Sequence, residues 1–354
     1  MTLGTLEVTG YRSLHEVSVD FGSLTVVTGP NGSGKSNLYR ALRLVRACGT
    51  GEVARRIAAE GGMPSVTWAG RRRGEPKVEL AVTLDELRYE IRLATAGRGS
   101  ADAPVTFPLD PIVTSERILA PGTPGRPVEM LDRAGSTAFV RDDEGRRVAM
   151  PAAFRESETV ISQLIDPGRY PELVAVREAL ARMRFHHQLR TDEAAPARQP
   201  ALGTRTLAVA DDGSDLAAAL LTIASEGDGL ALENCLATAF DGSRMVIHED
   251  DAGRLELRLD TGASLCRPLL PGELSDGQLR YCFLAATLLS PRPPDVIVLN
   301  EPESSLHVGL LAPLAGMVTV AAERAQVVVT THSRELVDLL SRRGRAEILT
   351  LELV

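Results

Sequence analysis

The run Gly29-Pro30-Asn31-Gly32-Ser33-Gly34-Lys35-Ser36 constrains this chain more than any other stretch of its sequence. It fits G-x-x-x-x-G-K-[ST]. It lies between an apolar run, Leu24 to Thr28, that reads as a strand, and Ser36 to Ala47, whose Leu38, Ala41, Leu42 and Val45 recur at helical spacing. Glycines in such a turn let several N–H groups face inward, and the helix that follows adds its positive end, so the loop forms a cradle for phosphate oxygens. In that cradle Lys35 places a point charge on the β and γ phosphates and Ser36 a hydroxyl on Mg²⁺. Only Lys35 and Lys77 among the 39 basic residues are lysines, so a lysine inside this motif carries unusual weight.

The 354 residues, 44% hydrophobic and 24% charged, suffice for one large domain or two ordinary ones and exclude disorder of the whole chain. Leu310 to Ala322, nearly uncharged, is too short to cross a membrane and contains Pro313. The first residues lack a basic stretch followed by an apolar core, and Cys48, Cys235, Cys266 and Cys282 form no C-x-x-C pair. The expectation is a cytoplasmic protein without disulfide framework, zinc site or membrane contact. A net charge of −8 disfavours wholesale coating by nucleic acid but leaves room for a local basic groove.

Alternating runs at Thr5–Thr9, Val17–Phe21, Val78–Leu84 and Arg88–Leu93 predict further strands, and Gly97 to Pro151, rich in turn dipeptides, predicts short strands and loops. Helical spacing follows at Pro171–Met183, Asp215–Ser225 and Gly229–Phe240, then a hairpin at Arg244–His248 and Leu255–Leu259. The last third alternates regularly: helix Ser275–Ser290, strand Val296–Leu299, helix from Ser304, strand Ala325–Thr330, helix from Ser333, strand Glu347–Leu351. That order predicts a parallel sheet covered by helices.

The same third carries the remaining chemistry. Leu274-Ser275-Asp276-Gly277-Gln278 opens a helix that Ser275 can cap, while Gly277 permits close backbone approach, and this run resembles the signature motif of ABC-type ATPases. Val296-Ile297-Val298-Leu299-Asn300-Glu301 has the shape of a Walker B strand, with Glu301 where a general base orients the attacking water and Asn300 where an Asp usually contacts Mg²⁺. An amide brings an acceptor oxygen but no charge, which puts metal affinity and turnover rate in question. The resemblance to ABC-type ATPases implies that His332, ending a third strand, stands where that family senses the γ phosphate, and makes Gln163 the candidate for its glutamine touching Mg²⁺ and water. Catalytic candidates are thus Glu301, His332 and Gln163, and metal candidates Ser36, Gln163 and Asn300.

Together with Val8-Thr9-Gly10-Tyr11-Arg12-Ser13-Leu14 and Glu301-Pro302-Glu303-Ser304-Ser305-Leu306-His307, these motifs resemble the ABC-type P-loop ATPases of the SMC, RecF and OLD-like group. The resemblance implies an α/β fold: an ABC-type head with a mixed sheet, an antiparallel β-subdomain and a helical and β insertion between P-loop and signature. It divides the chain into 1–165 and 271–354, forming one ATPase head, and an inserted 166–270. No coiled coil fills the insertion, and no nuclease-type domain is expected after His332. Arg12 and Asn37 join the ATP-binding set, ATP and Mg²⁺ are the implied cofactors, and two heads meet as a homodimer with Leu274–Gln278 completing the partner's P-loop site.

Between Arg55 and Lys77 stand Arg55, Arg56, Arg71, Arg72, Arg73 and Lys77 with Trp68 among them. They fit a DNA-backbone groove, as in the group's DNA-linked members, and fit equally a solvated arginine-rich loop. Two functions follow: an ATP hydrolase driving a DNA-repair or phage-defence complex, or a low-turnover nucleotide switch for a separate effector protein, which Asn300 favours. A transporter ATPase subunit is disfavoured by the long insertion. His186 and His187 are adjacent, and neighbours in a strand face opposite sides, so no metal is assigned to them.

Overall fold

Burial of Leu6 and Val8 fixes which face of β1 (Leu3–Tyr11) meets the core; buried Leu3 lies three residues before, at a register shift against a neighbouring strand, and buried Tyr11 three residues after, beyond Gly10 at φ 74°. In the computed structural model, residues 1–71, 74–95, 106–123, 126–150, 154–187, 189–262 and 265–352 are described, and the chain divides into two units.

The first unit holds 1–21, 30–183 and, at the end of the described chain, 351–352, and is built on an antiparallel sheet. After β1 come β2 (Leu14–Asp20) and β3 (Leu24–Thr28), the latter part of the second unit. Then follow α1 (Lys35–Thr50), α2 (Val53–Ala59), α3 (Met63–Val66), β4 (Lys77–Leu84), β5 (Leu87–Thr95), β6 (Pro111–Thr123), β7 (Arg126–Ala134), β8 (Thr137–Arg141), β9 (Arg147–Ala149), α4 (Val160–Gln163) and α5 (Pro171–Arg182). The strand order is β2-β1-β4-β5-β6-β7-β8-β9. Where short strands and loops were expected, β6 and β7 run for 13 and 9 residues. Register shifts at Arg92/Leu93, Ile118/Leu119 and Ala120/Thr123 break the two-residue alternation that would have revealed them. The helix α1 packs on α5 at Gly49, where an added Cβ would lie 2.8 Å from the Arg177 carbonyl oxygen.

Two fully buried charges tie this sheet to α4. Glu116 on β6 accepts hydrogen bonds from the Val160 and Ile161 amides and from Tyr89, while Arg133 on β7 donates to the carbonyls of Gly135, Glu158 and Arg155. The two side chains lie 3.8 Å apart.

The second unit holds 22–29 and 184–350. Its strands and helices are β3, β10 (Arg184–His186), β11 (Ala201–Leu202), α6 (Leu216–Glu226), α7 (Gly229–Ala239), β12 (Arg244–Glu249), β13 (Arg254–Asp260), α8 (Asp276–Leu288), β14 (Val296–Asn300), α9 (Leu311–Ala321), β15 (Gln326–Thr330), α10 (Arg334–Arg342) and β16 (Ala346–Thr350). A parallel sheet in the order β10-β14-β15-β3-β16 forms the centre, and β11-β13-β12 a small antiparallel sheet. All five residues of β14 and of β15 are buried, as the apolar runs predict for a parallel sheet covered on both faces. The helix expected from Ser304 begins instead at Leu311. Ser304 N–H turns back to the Glu301 carbonyl and Ser305 takes φ 64°, a left-handed conformation that cannot continue a right-handed helix. The fold class is the mixed α/β arrangement that the motif order implied, with residues 166–270 shared between α5 in the first unit and β10 to β13 in the second.

Burial raises the Glu116 carboxyl to about 7, against the opposing pull of the Val160 and Ile161 amides and Arg133. A folded form that holds its proton more tightly than the unfolded chain is favoured at low pH, and this contribution fades as pH rises through 7. The melting-temperature advantage of wild type over Glu116→Gln should therefore shrink between about pH 5 and about pH 8 in thermal denaturation.

Candidate nucleotide site

The parallel register of the second unit decides what meets at its edge. Thr330 pairs with Asn300 on one side and with Val27 on the other, so β3, β14 and β15 end together and hand the chain on to Gly29, Glu301 and Thr331. Ligand sites in such sheets form outside the carboxyl ends of the strands.

From Gly29 the chain enters the glycine-rich loop. Gly34, the residue before α1, has φ 99°, and a Cβ there would come within 2.9 Å of Leu14 Cδ2; only glycine combines that conformation with that contact. Lys35 is buried and donates from Nζ to the Pro30 carbonyl at 2.9 Å, while Ser36 at the first turn of α1 is exposed. Asn37 Nδ2 donates to Ser13 Oγ, joining the helix to the β1–β2 turn, and the buried Ser33 hydroxyl has no hydrogen-bond partner among the described residues. Arg12 is committed elsewhere. With Arg56 and the Tyr11 hydroxyl it surrounds Glu60, an acid that no motif marks.

At the edge of the second unit, Glu301 adopts φ 49°, unusual for a residue with a Cβ, and its N–H bonds to the Thr330 carbonyl. His332 Nδ1 lies 3.6 Å from a carboxylate oxygen of Glu301 and 3.6 Å from one of Glu303. Asn300 is buried and engaged at both ends: Oδ1 accepts from the Thr330 hydroxyl, and Nδ2 lies 2.7 Å from His187 Nδ1. Because the amide nitrogen can only donate, His187 Nδ1 is the acceptor in this arrangement. Arg280 donates to the carbonyls of His187 and Glu301; burial pulls its guanidinium down, and the charges of Glu303 and Glu301 hold it up.

The signature run is capped as expected. Ser275 Oγ accepts from the Gln278 N–H and Gln278 Oε1 accepts from the Ser275 N–H, closing a capping box at the start of α8. Gly277 approaches the Ser305 carbonyl so closely that a Cβ would sit 3.1 Å away. Arg198, which no motif marks, donates to the Leu274 carbonyl and pairs with Asp276. Gln163 ends α4 with its amide folded back on the Thr159 carbonyl. Of the basic stretch, Arg55 pairs with Glu52, Arg56 with Glu60 and Lys77 with Glu79; Arg72 and Arg73 lie outside the described residues. A set of three or more acid, histidine or cysteine side chains able to hold a metal is absent among the described residues.

Two family models match. The AAA domain described as a putative AbiEii toxin of a type IV toxin–antitoxin system covers residues 261–338, and a second AAA domain covers residues 5–97. The chromosome partition protein Smc of Bacillus subtilis (strain 168) is 42% identical over 89 residues, a match spanning 24% of this chain and 7% of that relative. A crystal structure of the SmcHead bound to the C-winged helix domain of ScpA aligns over 96% of this chain and 92% of its own at 16% identity, with a TM-score of 0.53. An Smc head domain with an extended coiled coil, bound to the C-terminal domain of ScpA derived from Pyrococcus furiosus, aligns over 100% and 94% at 13% identity, with a TM-score of 0.56.

Replacing Arg198 by Met should leave the Leu274 and Pro271 carbonyls unsatisfied and cost roughly 1–3 kcal/mol. Denaturant unfolding of the Arg198→Met protein reads this loss.

Proposed function

We propose that this chain, which matches AAA-domain models over residues 5–97 and 261–338 and shares the fold of Smc heads, is an SMC-like P-loop ATPase that binds ATP with Mg²⁺, hydrolyses it with Glu301 as general base, and pairs with a second copy while ATP is bound. The observation that carries the reading is the meeting of Glu301 and His332 at the end of the same sheet whose strand β3 leads into the glycine loop. A triphosphate entering that loop takes over the Lys35 ammonium from the Pro30 carbonyl and accepts hydrogen bonds from the N-terminal amides of α1. In the second unit the Asn300 carbonyl keeps a lone pair beyond its bond to Thr330, and Ser36, exposed at the start of α1, offers a hydroxyl suited to a hard cation that prefers oxygen donors and retains water. Mg²⁺ would there neutralise phosphate charge as the terminal group leaves. Gln163, folded back on Thr159, must turn outward to take part. Glu301 draws the proton of the attacking water and His332 holds its carboxylate and the terminal phosphate in line.

The start of α8 is a second anion site. With Ser275 and Gly277 it serves the nucleotide of the other copy, so that ATP joins two molecules and hydrolysis releases them. The solved Smc heads carry a bound ScpA domain, which supports a protein effector for this chain too. We place the cycle in a DNA-repair or antiviral-defence complex, on the resemblance of its motifs to the SMC, RecF and OLD-like group. No helix among the described residues is long and apolar enough to cross a membrane. One observation favours a second reading, that of a slow nucleotide switch: the Walker B position holds an uncharged amide tied to Thr330 and His187.

Steady-state hydrolysis, nucleotide binding and light scattering test these readings. Lys35→Ala should lose ATP binding, whereas Glu301→Gln should keep it, lower kcat by roughly 10²- to 10⁴-fold and accumulate as a dimer with ATP. Glu301→Gln protein that stays monomeric with ATP counts against the pairing. Tight binding with negligible wild-type turnover establishes the switch.

A further inference from the structure

Glu303 lies two residues beyond Glu301 and takes no part in the chemistry described so far, yet it is the most deeply buried acid at the edge of the parallel sheet, 8% exposed. Its Oε1 accepts from the Thr331 hydroxyl, and the same Thr331 oxygen accepts from the Ser333 N–H at 2.9 Å. The residues on both sides of His332 are thus moored to one carboxylate. That carboxylate's Oε1 lies 3.6 Å from His332 Nδ1, as close as Glu301 comes. Its other oxygen, Oε2, is buried and has no hydrogen-bond partner among the described residues. A buried carboxylate oxygen left without a donor is costly to maintain, and such exceptions call for an explanation.

We propose that Glu303 is the positioning residue of this site: its carboxylate moors the Glu301 turn to the His332 loop and holds the imidazole with Nδ1 protonated toward the two acids, leaving Nε2 to face the nucleotide. The orienting acid of a catalytic histidine acts in this way, fixing ring and tautomer without touching the substrate. The residue at the Walker B position cannot do this, because Asn300 has no charge and its amide is bonded to Thr330 and His187. Arg280 donates to the Glu301 carbonyl, and the charges of Glu303 and Glu301 hold up its guanidinium against burial, which sets a cation beside the acids that face His332.

The role rests on the hydrolase reading, and the test separates the two. Glu303→Gln keeps an oxygen to accept the Thr331 hydrogen bond and removes only the charge. Thr331→Val keeps shape and removes the tether, providing a second test if the first variant folds poorly. Both should bind ATP within about twofold of wild type while kcat falls by roughly 10- to 100-fold, a split that general loosening of the fold would not produce. Long-range ¹⁵N–¹H spectra of the imidazoles in the nucleotide-free protein should show His332 as the Nδ1–H tautomer in wild type and as a mixture or the Nε2–H form in Glu303→Gln. An unchanged tautomer together with unchanged kcat in both variants overturns the positioning role. Wild-type protein whose hydrolysis is insensitive to Glu301→Gln overturns the hydrolase reading instead, and the tautomer spectra still decide what Glu303 does to His332.

Discussion

The parallel register of three strands governs most of what this chain can do. Asn300 opposite Thr330, and Thr330 opposite Val27, bring the ends of β14, β15 and β3 level, and the backbone ladder continues one residue further through the Glu301 amide. A one-residue slip in any pair would turn alternate side chains to the other face and separate Glu301 from His332. The apolar runs Val296–Leu299 and Val327–Val329 fix that register by burial, so the polar residues at their ends need no contacts of their own to find one another. Strand composition thereby becomes site geometry.

Around this frame, charge is handled by pairing inside each unit. Glu60 gathers Arg12, Arg56 and Tyr11, and Glu116 sits beside Arg133; in the second unit Arg198 gathers the carbonyls before α8. On the face of the antiparallel sheet Glu7, Arg88, Glu90, Arg117 and Glu129 alternate across four strands, each cation flanked by acids. Such a ladder presents little net field, and it sets Arg88 and Arg117 among acids in a chain whose arginine count alone suggests a basic surface.

The glycine loop, the capped start of α8 and the strands ending in Glu301 and His332 were legible in the sequence because each is local: glycines at fixed offsets, a Ser-x-x-Gln capping box, four apolar residues before a polar one. What escaped depends on contacts distant in sequence. Glu60 meets Arg12 across 48 positions, Arg198 meets Leu274 across 76, and His187 meets Asn300 across 113. His187, weighed only against its neighbour His186, gave no sign of the asparagine it faces. Arg12 matches a family position, but its guanidinium is spent on an acid whose placement follows from α2 rather than from any motif. The long β6 and β7 were hidden by bulges, and the missing helix at Ser304 by a left-handed turn that serine does not advertise.

Two residues with side chains, Glu301 at φ 49° and Ser305 at φ 64°, bracket the turn after β14. Left-handed backbone at such residues costs about 1 kcal/mol or more, which glycine would not incur. The five residues 301–305 are therefore held above the energy that glycine at both ends would allow. Sequences drifting toward greater stability have glycine as the easy substitution at 301, and that substitution removes the carboxylate. Stability and the proposed chemistry pull in opposite directions at this one position, so a glycine there would gain robustness at the expense of the carboxylate on which the proposed hydrolysis depends.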